Sequence, residues 1–197
     1  MKKCDYNTLI CADGGANTAI KYNYVPDYII GDLDSINPVT YDYFFDKCQI
    51  IQINRQNDTD VEKCLKFAIK KKYEQVILLG GTGDRLDHSF CNLGIVLKFY
   101  NKININVIHS DSFLTAYNGK IEIKTIIGEI ISIYGFDEKT KITSRGLKYP
   151  LKNISLPFGK NESTSNVALD NNVLLKIKGG KIFVIRSFEM MRKHDLI

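Results

Sequence analysis

Two hydrophobic patterns divide the chain. Up to about residue 110, short apolar or β-branched runs alternate with stretches whose apolar positions recur every three or four residues. The runs at 8–12, 27–30, 49–53, 75–79 and 104–109 predict strands. Between them Val61, Cys64, Leu65, Ala68 and Ile69 predict a helix over 60–71, and Leu93, Val96, Leu97 and Tyr100 predict another over 89–100. Alternation of this kind predicts a parallel sheet with helices on its faces.

From about residue 118 the helical period is lost. Short strand candidates follow at 120–125, 129–134, 141–144, 165–169, 173–177 and 181–185, with no helix predicted among them. Gly119, Gly128, Gly135, Gly146, Gly159 and the Gly179-Gly180 pair read as turns, the last as a hairpin. The pattern therefore predicts an α/β domain over 1–117 and an all-β domain over 118–197.

Composition narrows the classes. With 44% apolar and 25% charged residues the chain can bury a core. The net charge of +5 comes mostly from scattered lysines, the longest run being Lys70-Lys71-Lys72, so no nucleic-acid surface is expected. Five cysteines, with no C-x-x-C pair, fit reduced thiols better than zinc or a disulfide framework. No apolar stretch is long enough to span a bilayer and the first residues lack a signal-peptide core, so a cytoplasmic protein with no membrane partner is expected.

The unusual polar residues lie where the α/β strands end. Four strands run into Asp13-Gly14-Gly15-Ala16-Asn17, Gly31-Asp32-Leu33-Asp34-Ser35, Asn54 to Asp60, and Gly80-Gly81-Thr82-Gly83-Asp84-Arg85-Leu86-Asp87-His88. In open parallel sheets ligands bind at this edge. Asp13, Asp32, Asp34, Asp58, Asp60, Asp84 and Asp87 would crowd one rim, and like charges that close call for a cation. Oxygen ligands without clustered His or Cys favour Mg²⁺. Taken alone, Asp-x-Asp is more often a helix cap or a turn, and Asp34-Ser35 before Pro38 suits that plainer role.

The glycines point to phosphate. Gly14-Gly15 and Gly80 to Gly83 each follow a strand and precede a helical stretch, where bare N–H groups favour anions. Neither matches a P-loop or dinucleotide fingerprint. With Arg85 and Lys63 nearby in sequence, a nucleoside triphosphate clamped by Mg²⁺ and cations is the expected ligand.

Asp13-Gly14-Gly15-Ala16-Asn17, Gly31 to Ile36, Gln56 with Thr59-Asp60 and Lys63, Gly80 to Gly83 with Arg85 to His88 and Asn92, and Ser165-Asn166 together resemble the thiamine pyrophosphokinase family. The resemblance implies a Rossmann-like α/β domain followed by a β-sandwich, and a homodimer with its active site at the subunit interface. It also implies Mg²⁺-dependent transfer of the diphosphate of ATP to thiamine, releasing AMP. It places Asp32, Asp34 and Asp60 on Mg²⁺ and Asp13 and Asn17 beside the transferred group. Gln56, Thr59, Lys63, Gly81, Thr82, Arg85, Asp87 and His88 fall to the nucleotide, and Ser165 and Asn166 to thiamine. Whether His88 or a rim carboxylate takes the alcohol proton stays open.

Two features depart from the family pattern. Only about eight residues precede the first strand, where the family has a further strand and helix. There is also no tryptophan, which leaves Tyr149, Phe158 and Phe188 as candidates to stack on a cationic ring. A metal-dependent glycosyltransferase would account for Asp32 and Asp34 but leave the Gly80 to His88 cluster unused. A non-catalytic nucleotide or thiamine binding module is the other alternative.

Overall fold

The computed structural model describes residues 6–55, 57–83 and 85–197, which form two compact units dividing between Glu74 and Gln75. The first contains β1 (Ile10–Ala12), α1 (Gly15–Lys21), β2 (Tyr28–Gly31), α2 (Pro38–Phe44), β3 (Gln49–Gln52) and α3 (Asp60–Lys70). Its three strands pair in parallel in the order β1-β2-β3. Ile29 and Phe44 are fully buried, and with Cys11, Ala16, Ala19 and Ile36 they form the apolar cluster of this unit. Helix α3 begins at Thr59, whose side chain accepts the Glu62 N–H, and ends within a residue of its predicted limit. Helices α1 and α2 have seven residues each; a helical stretch was expected after Gly14-Gly15, but apolar spacing set bounds for neither. Each is too short to show more than two buried positions.

The second unit contains β4 (Gln75–Leu79), α4 (Leu86–Phe99), β5 (Asn104–His109), β6 (Ser112–Lys124), β7 (Ile130–Tyr134), β8 (Lys141–Arg145), β9 (Lys152–Ile154), β10 (Ser163–Val167), β11 (Asn172–Ser187) and α5 (Phe188–Lys193). One mixed sheet runs β10-β7-β11-β6-β5-β4, with β8 on β11 and β9 on β8. Among the described residues only β4 and β5 pair in parallel within it. The chain is thus a mixed α/β protein with a second, β-rich part. The anticipated boundary at 117/118 falls inside β6, which runs unbroken because both halves of β11 pair with it, while β5 pairs with its first residues, Ser112 to Thr115.

The Gly179-Gly180 hairpin is corrected. These residues lie within β11, which pairs with β6 on both sides of them and shifts register between Ile177 and Ile182. Gly179 has φ +82°, and a Cβ on it would stand 2.7 Å from the Lys139 carbonyl oxygen, so the glycines admit a passing backbone rather than turn the strand. The absence of a helix after 118 is corrected as well, by α5. Its N-cap, Ser187, accepts the Met190 N–H, while Asp111 binds the Ser187 hydroxyl and the Glu189 N–H.

The first half of β11 pairs with β8 and the second with β7. Side chains from both arms, including Ile131, Ile133, Ile142, Val173, Leu175 and Ile182, meet in one buried cluster. Beside it Glu129, with no exposed surface, takes both prongs of Arg186 at 2.7 and 2.9 Å and the Ile126 N–H at 3.2 Å. No helix among the described residues is long and apolar enough to cross a membrane.

Candidate active site

The turn after β1 brings the first acid inward. Asp13 adopts φ +40° and is 1% exposed. Its N–H continues the parallel ladder to the Ile30 carbonyl at 3.0 Å. Gly31 makes this possible, since a Cβ there would lie 2.6 Å from that of Asp13. Leu33, at φ +68°, bends the chain between Asp32 and Asp34. Asp60 opens α3, where the helix dipole favours a carboxylate.

These elements bring carboxylate oxygens of Asp13, Asp32 and Asp60 within 4.8 Å of one another. Lys63, one turn along α3, reaches the same place. Its ammonium donates to Asp60 Oδ1 at 2.9 Å and stands 3.7 Å from Asp32 Oδ2. Burial lowers the Lys63 pKa, but Asp60 and Asp32 outweigh it and leave the group above its ordinary value. For Asp13, burial pushes the carboxyl up, the Ser35 N–H pulls it down, and Asp32, Asp60 and Asp34 add to the rise.

Asp13 Oδ2 accepts the Ser35 N–H at 3.3 Å, while Oδ1 is buried and meets no donor among the described residues. A buried carboxylate oxygen left in that state is costly. Three hard oxygen donors and one such orphan fit a divalent ion of the Mg²⁺ kind.

The other acids do not join this trio. Asp34 accepts from the Ser35 hydroxyl at 2.8 Å. Asp58 pairs with Lys66 at 2.6 Å and with Arg55, and the Lys66 hydrogen bond is the main cause of its lowered pKa. Asp87 is exposed and held down in pKa chiefly by Arg85, 2.6 Å away. Asp84 and Gln56 lie outside the described residues. Asn17 spends its amide on the 35–37 turn, donating to the Ser35 carbonyl and accepting the Asn37 N–H. Thr59 caps α3. Gly14 leaves room for Ser35, whose oxygen would stand 3.1 Å from a Cβ there.

In the second unit, the loop after β4 is shaped from beneath. Gly80 has φ +66°, and a Cβ on Gly81 would lie 2.7 Å from Leu78 Cδ2. The buried Asn92 donates to the Gly81 carbonyl at 2.7 Å, Ser89 accepts the Gly83 N–H at 3.2 Å, and His109 Nδ1 meets the Thr82 carbonyl at 3.0 Å. Thr82 Oγ1 is buried without a partner among the described residues. Arg85, Asp87 and His88 are exposed around the first turn of α4. The loop therefore presents backbone N–H groups at a helix N-terminus from a frame fixed below it.

In the β-rich part, Ser165 is exposed at φ +54° and donates its N–H to Ser132 Oγ. The Asn166 side chain, 1% exposed, is taken up by the Tyr149 backbone and Ser163. Asn166, but not Ser165, lines an open groove of ≈ 500 Å³ together with Tyr149, Pro150, Ile154, Leu156 and Glu162 among others. Tyr149 and Phe158 are exposed, whereas Phe188 stacks on Phe113.

Three details of the geometry were not set by sequence reasoning: the convergence of Asp13 with Asp32 and Asp60, the insertion of Lys63, and the support of Thr82 from His109. Gly31 was the available signal for the first. The third joins positions 27 apart in sequence and leaves none.

Residues 2–109 match the model of the thiamin pyrophosphokinase catalytic domain, and 119–182 that of its vitamin B1 binding domain. Thiamin pyrophosphokinase 1 of Caenorhabditis elegans is 29% identical, over 94% of this chain and 82% of that protein. Thiamine pyrophosphokinase 3 of rice, Oryza sativa subsp. japonica, is 31% identical, over 85% and 73%. The crystal structure of thiamine pyrophosphokinase from Bacillus subtilis superposes with a TM-score of 0.81 at 26% identity, covering 93% of this chain and 89% of that one. On these matches the chain belongs to the thiamin pyrophosphokinase family.

Proposed function

We propose that this chain transfers the diphosphate group of ATP to the hydroxyl of thiamine, yielding thiamine diphosphate and AMP. The observation that carries the reaction chemistry is the convergence of Asp13, Asp32 and Asp60, with a buried Asp13 oxygen that meets no donor among the described residues. In this reading 1–117 is a Rossmann-like nucleotide-binding domain with helices on both faces and 118–197 a thiamine-binding β-sandwich. The two matched family models support that division.

Asp32 and Asp60 would hold Mg²⁺, with Asp13 beside them. Asp34 adds charge nearby, close enough to raise the Asp13 carboxyl. The ion, when bound, shields the phosphates and fixes their geometry. Gly81 and Thr82 offer backbone N–H groups and a hydroxyl to the nucleotide phosphates, and Arg85 supplies positive charge. Gln56, Thr59, Lys63, Asp87 and His88 complete the nucleotide set. Attack at the β-phosphorus needs the alcohol and the departing AMP in line, so these groups work by orienting and neutralising. Asn17 holds the turn beside the transferred group, and Ser165 and Asn166 shape the thiamine side. A cytoplasmic homodimer with its active site at the subunit interface belongs to the same reading. The exposed Ile127, Ile130 and Leu169 are apolar surface that such a contact would cover.

Incubation with ATP, Mg²⁺ and thiamine tests the proposal: AMP and thiamine diphosphate should appear in equal amounts. ADP as the nucleotide product would rule out diphosphoryl transfer, and tight binding of both substrates without turnover would leave a binding module.

A further inference from the structure

Lys63 stands where a surface lysine would not. Its side chain is 2% exposed, and its ammonium touches Asp60 and approaches Asp32. Burying an ammonium is costly unless charges meet it. The helix gives no other reason for it, because Lys63 is the fourth residue of α3, near the end whose dipole disfavours a cation. Nor is it one of a row of surface pairs: Glu62 and Asp58 are taken by Lys66 at 2.8 and 2.6 Å. The position is explained by the carboxylates alone.

Charge counting sharpens the point. Three carboxyl groups stand against one ammonium, an excess of acid of the kind a divalent ion offsets. Asp13, whose Oδ1 has no donor among the described residues, is the member of the trio for which no contact with Lys63 is recorded. The internal cation neutralises part of the cluster and leaves the rest open.

We infer that Lys63 is the resident counter-ion of the Asp13–Asp32–Asp60 trio, holding these acids together when no metal is bound and weakening metal binding until a phosphate-bearing ligand arrives. This rests on the proposed metal role of the trio. Like charges repel, so an ammonium beside Asp60 and Asp32 lowers the affinity of those oxygens for a second cation. Nucleotide phosphates bring negative charge that offsets the crowding. The metal then binds firmly only with its nucleotide, and Lys63 acts as a positioning residue that sets this order.

The test uses the full chain and Mn²⁺ as probe, with free Mn²⁺ counted by electron paramagnetic resonance, alone and with α,β-methylene-ATP. Lys63→Met should bind Mn²⁺ alone at least about tenfold more tightly than the wild type, a shift of one pK-like unit. Lys63→Arg, which keeps the charge, should stay within about threefold of wild type. The nucleotide analogue should tighten Mn²⁺ binding more in the wild type than in Lys63→Met. The thermal midpoint of Lys63→Met should fall without metal and recover in Mg²⁺.

Equal or weaker Mn²⁺ binding by Lys63→Met overturns the inference while leaving the metal role intact. So does a variant that stays unfolded in saturating Mg²⁺, since the trio would then need Lys63 for more than its charge. A wild-type chain that binds no Mn²⁺ even with the analogue overturns the metal role itself.

Discussion

Two clusters of charge, a fully buried pair in the second unit and a partly buried trio in the first, solve opposite problems. Glu129 and Arg186 are a closed account: both carboxylate oxygens meet donors, and Arg186 also reaches the Lys124 carbonyl at 2.8 Å. The Asp13–Asp32–Asp60 trio is left open, with one ammonium among three acids and an oxygen that meets no donor among the described residues. A folded chain gains from the first arrangement and loses by the second. Burial of charge alone therefore does not mark a site; incomplete satisfaction does.

The contrast breaks most sharply at the closed pair. Arg186→Met strands Glu129 with no exposed surface, and urea unfolding should show a loss of about 3–5 kcal/mol. A loss below about 1 kcal/mol would mean that the pair is not what holds the 124–129 turn. At the open cluster the damage should fall on turnover instead. Asp32→Asn should lower kcat by more than about 100-fold, the scale of a lost electrostatic stabiliser, with an unfolding midpoint no lower than wild type. Near wild-type kcat would remove Asp32 from the chemistry.

Asp13→Asn carries the comparison to a smaller scale. It removes the orphaned carboxylate oxygen, so the metal-free protein should gain roughly 1 kcal/mol in the same urea assay. The equivalent neutralisation, Glu129→Gln, should be destabilising, and like signs for the two would abolish the distinction. The mildest test concerns the surroundings of the trio. Burial pushes the Cys64 thiol up to about 12 and Cys11 up to about 11. Below those values both are neutral thiols and poor nucleophiles. Alkylation followed by mass spectrometry at pH 8 should label the exposed Cys91 first and spare Cys64 and Cys11.

Much of this was legible before any coordinates. Helices α3 and α4 declare themselves by apolar spacing, and β4 and β5 coincide with the strands predicted at 75–79 and 104–109. Strand β11 was split in sequence because a Gly-Gly pair normally signals a turn, whereas here it answers the close approach of Lys139 and Thr140. The start of β6 was missed because 112–119 shows no clean alternation, its buried run of Phe113, Leu114, Thr115 and Ala116 being covered on both faces. At the trio, the acids could be enumerated but not sorted. Asp34 is two residues from Asp32, and only the φ of Leu33 and the missing Cβ of Gly31 decide which carboxylates converge. Lys63 looked like a ligand for phosphate, and nothing in its i,i+3 spacing from Asp60 tells a surface pair from a buried one.

His109 ties its ring to the Thr82 carbonyl and, as the last residue of β5, sits opposite Ser112 across a two-residue turn. From there β6 runs without interruption into the β-rich half of its unit, beside β11 along both arms. The support beneath the glycine loop is thus continuous, strand by strand, with the β-rich half of its unit.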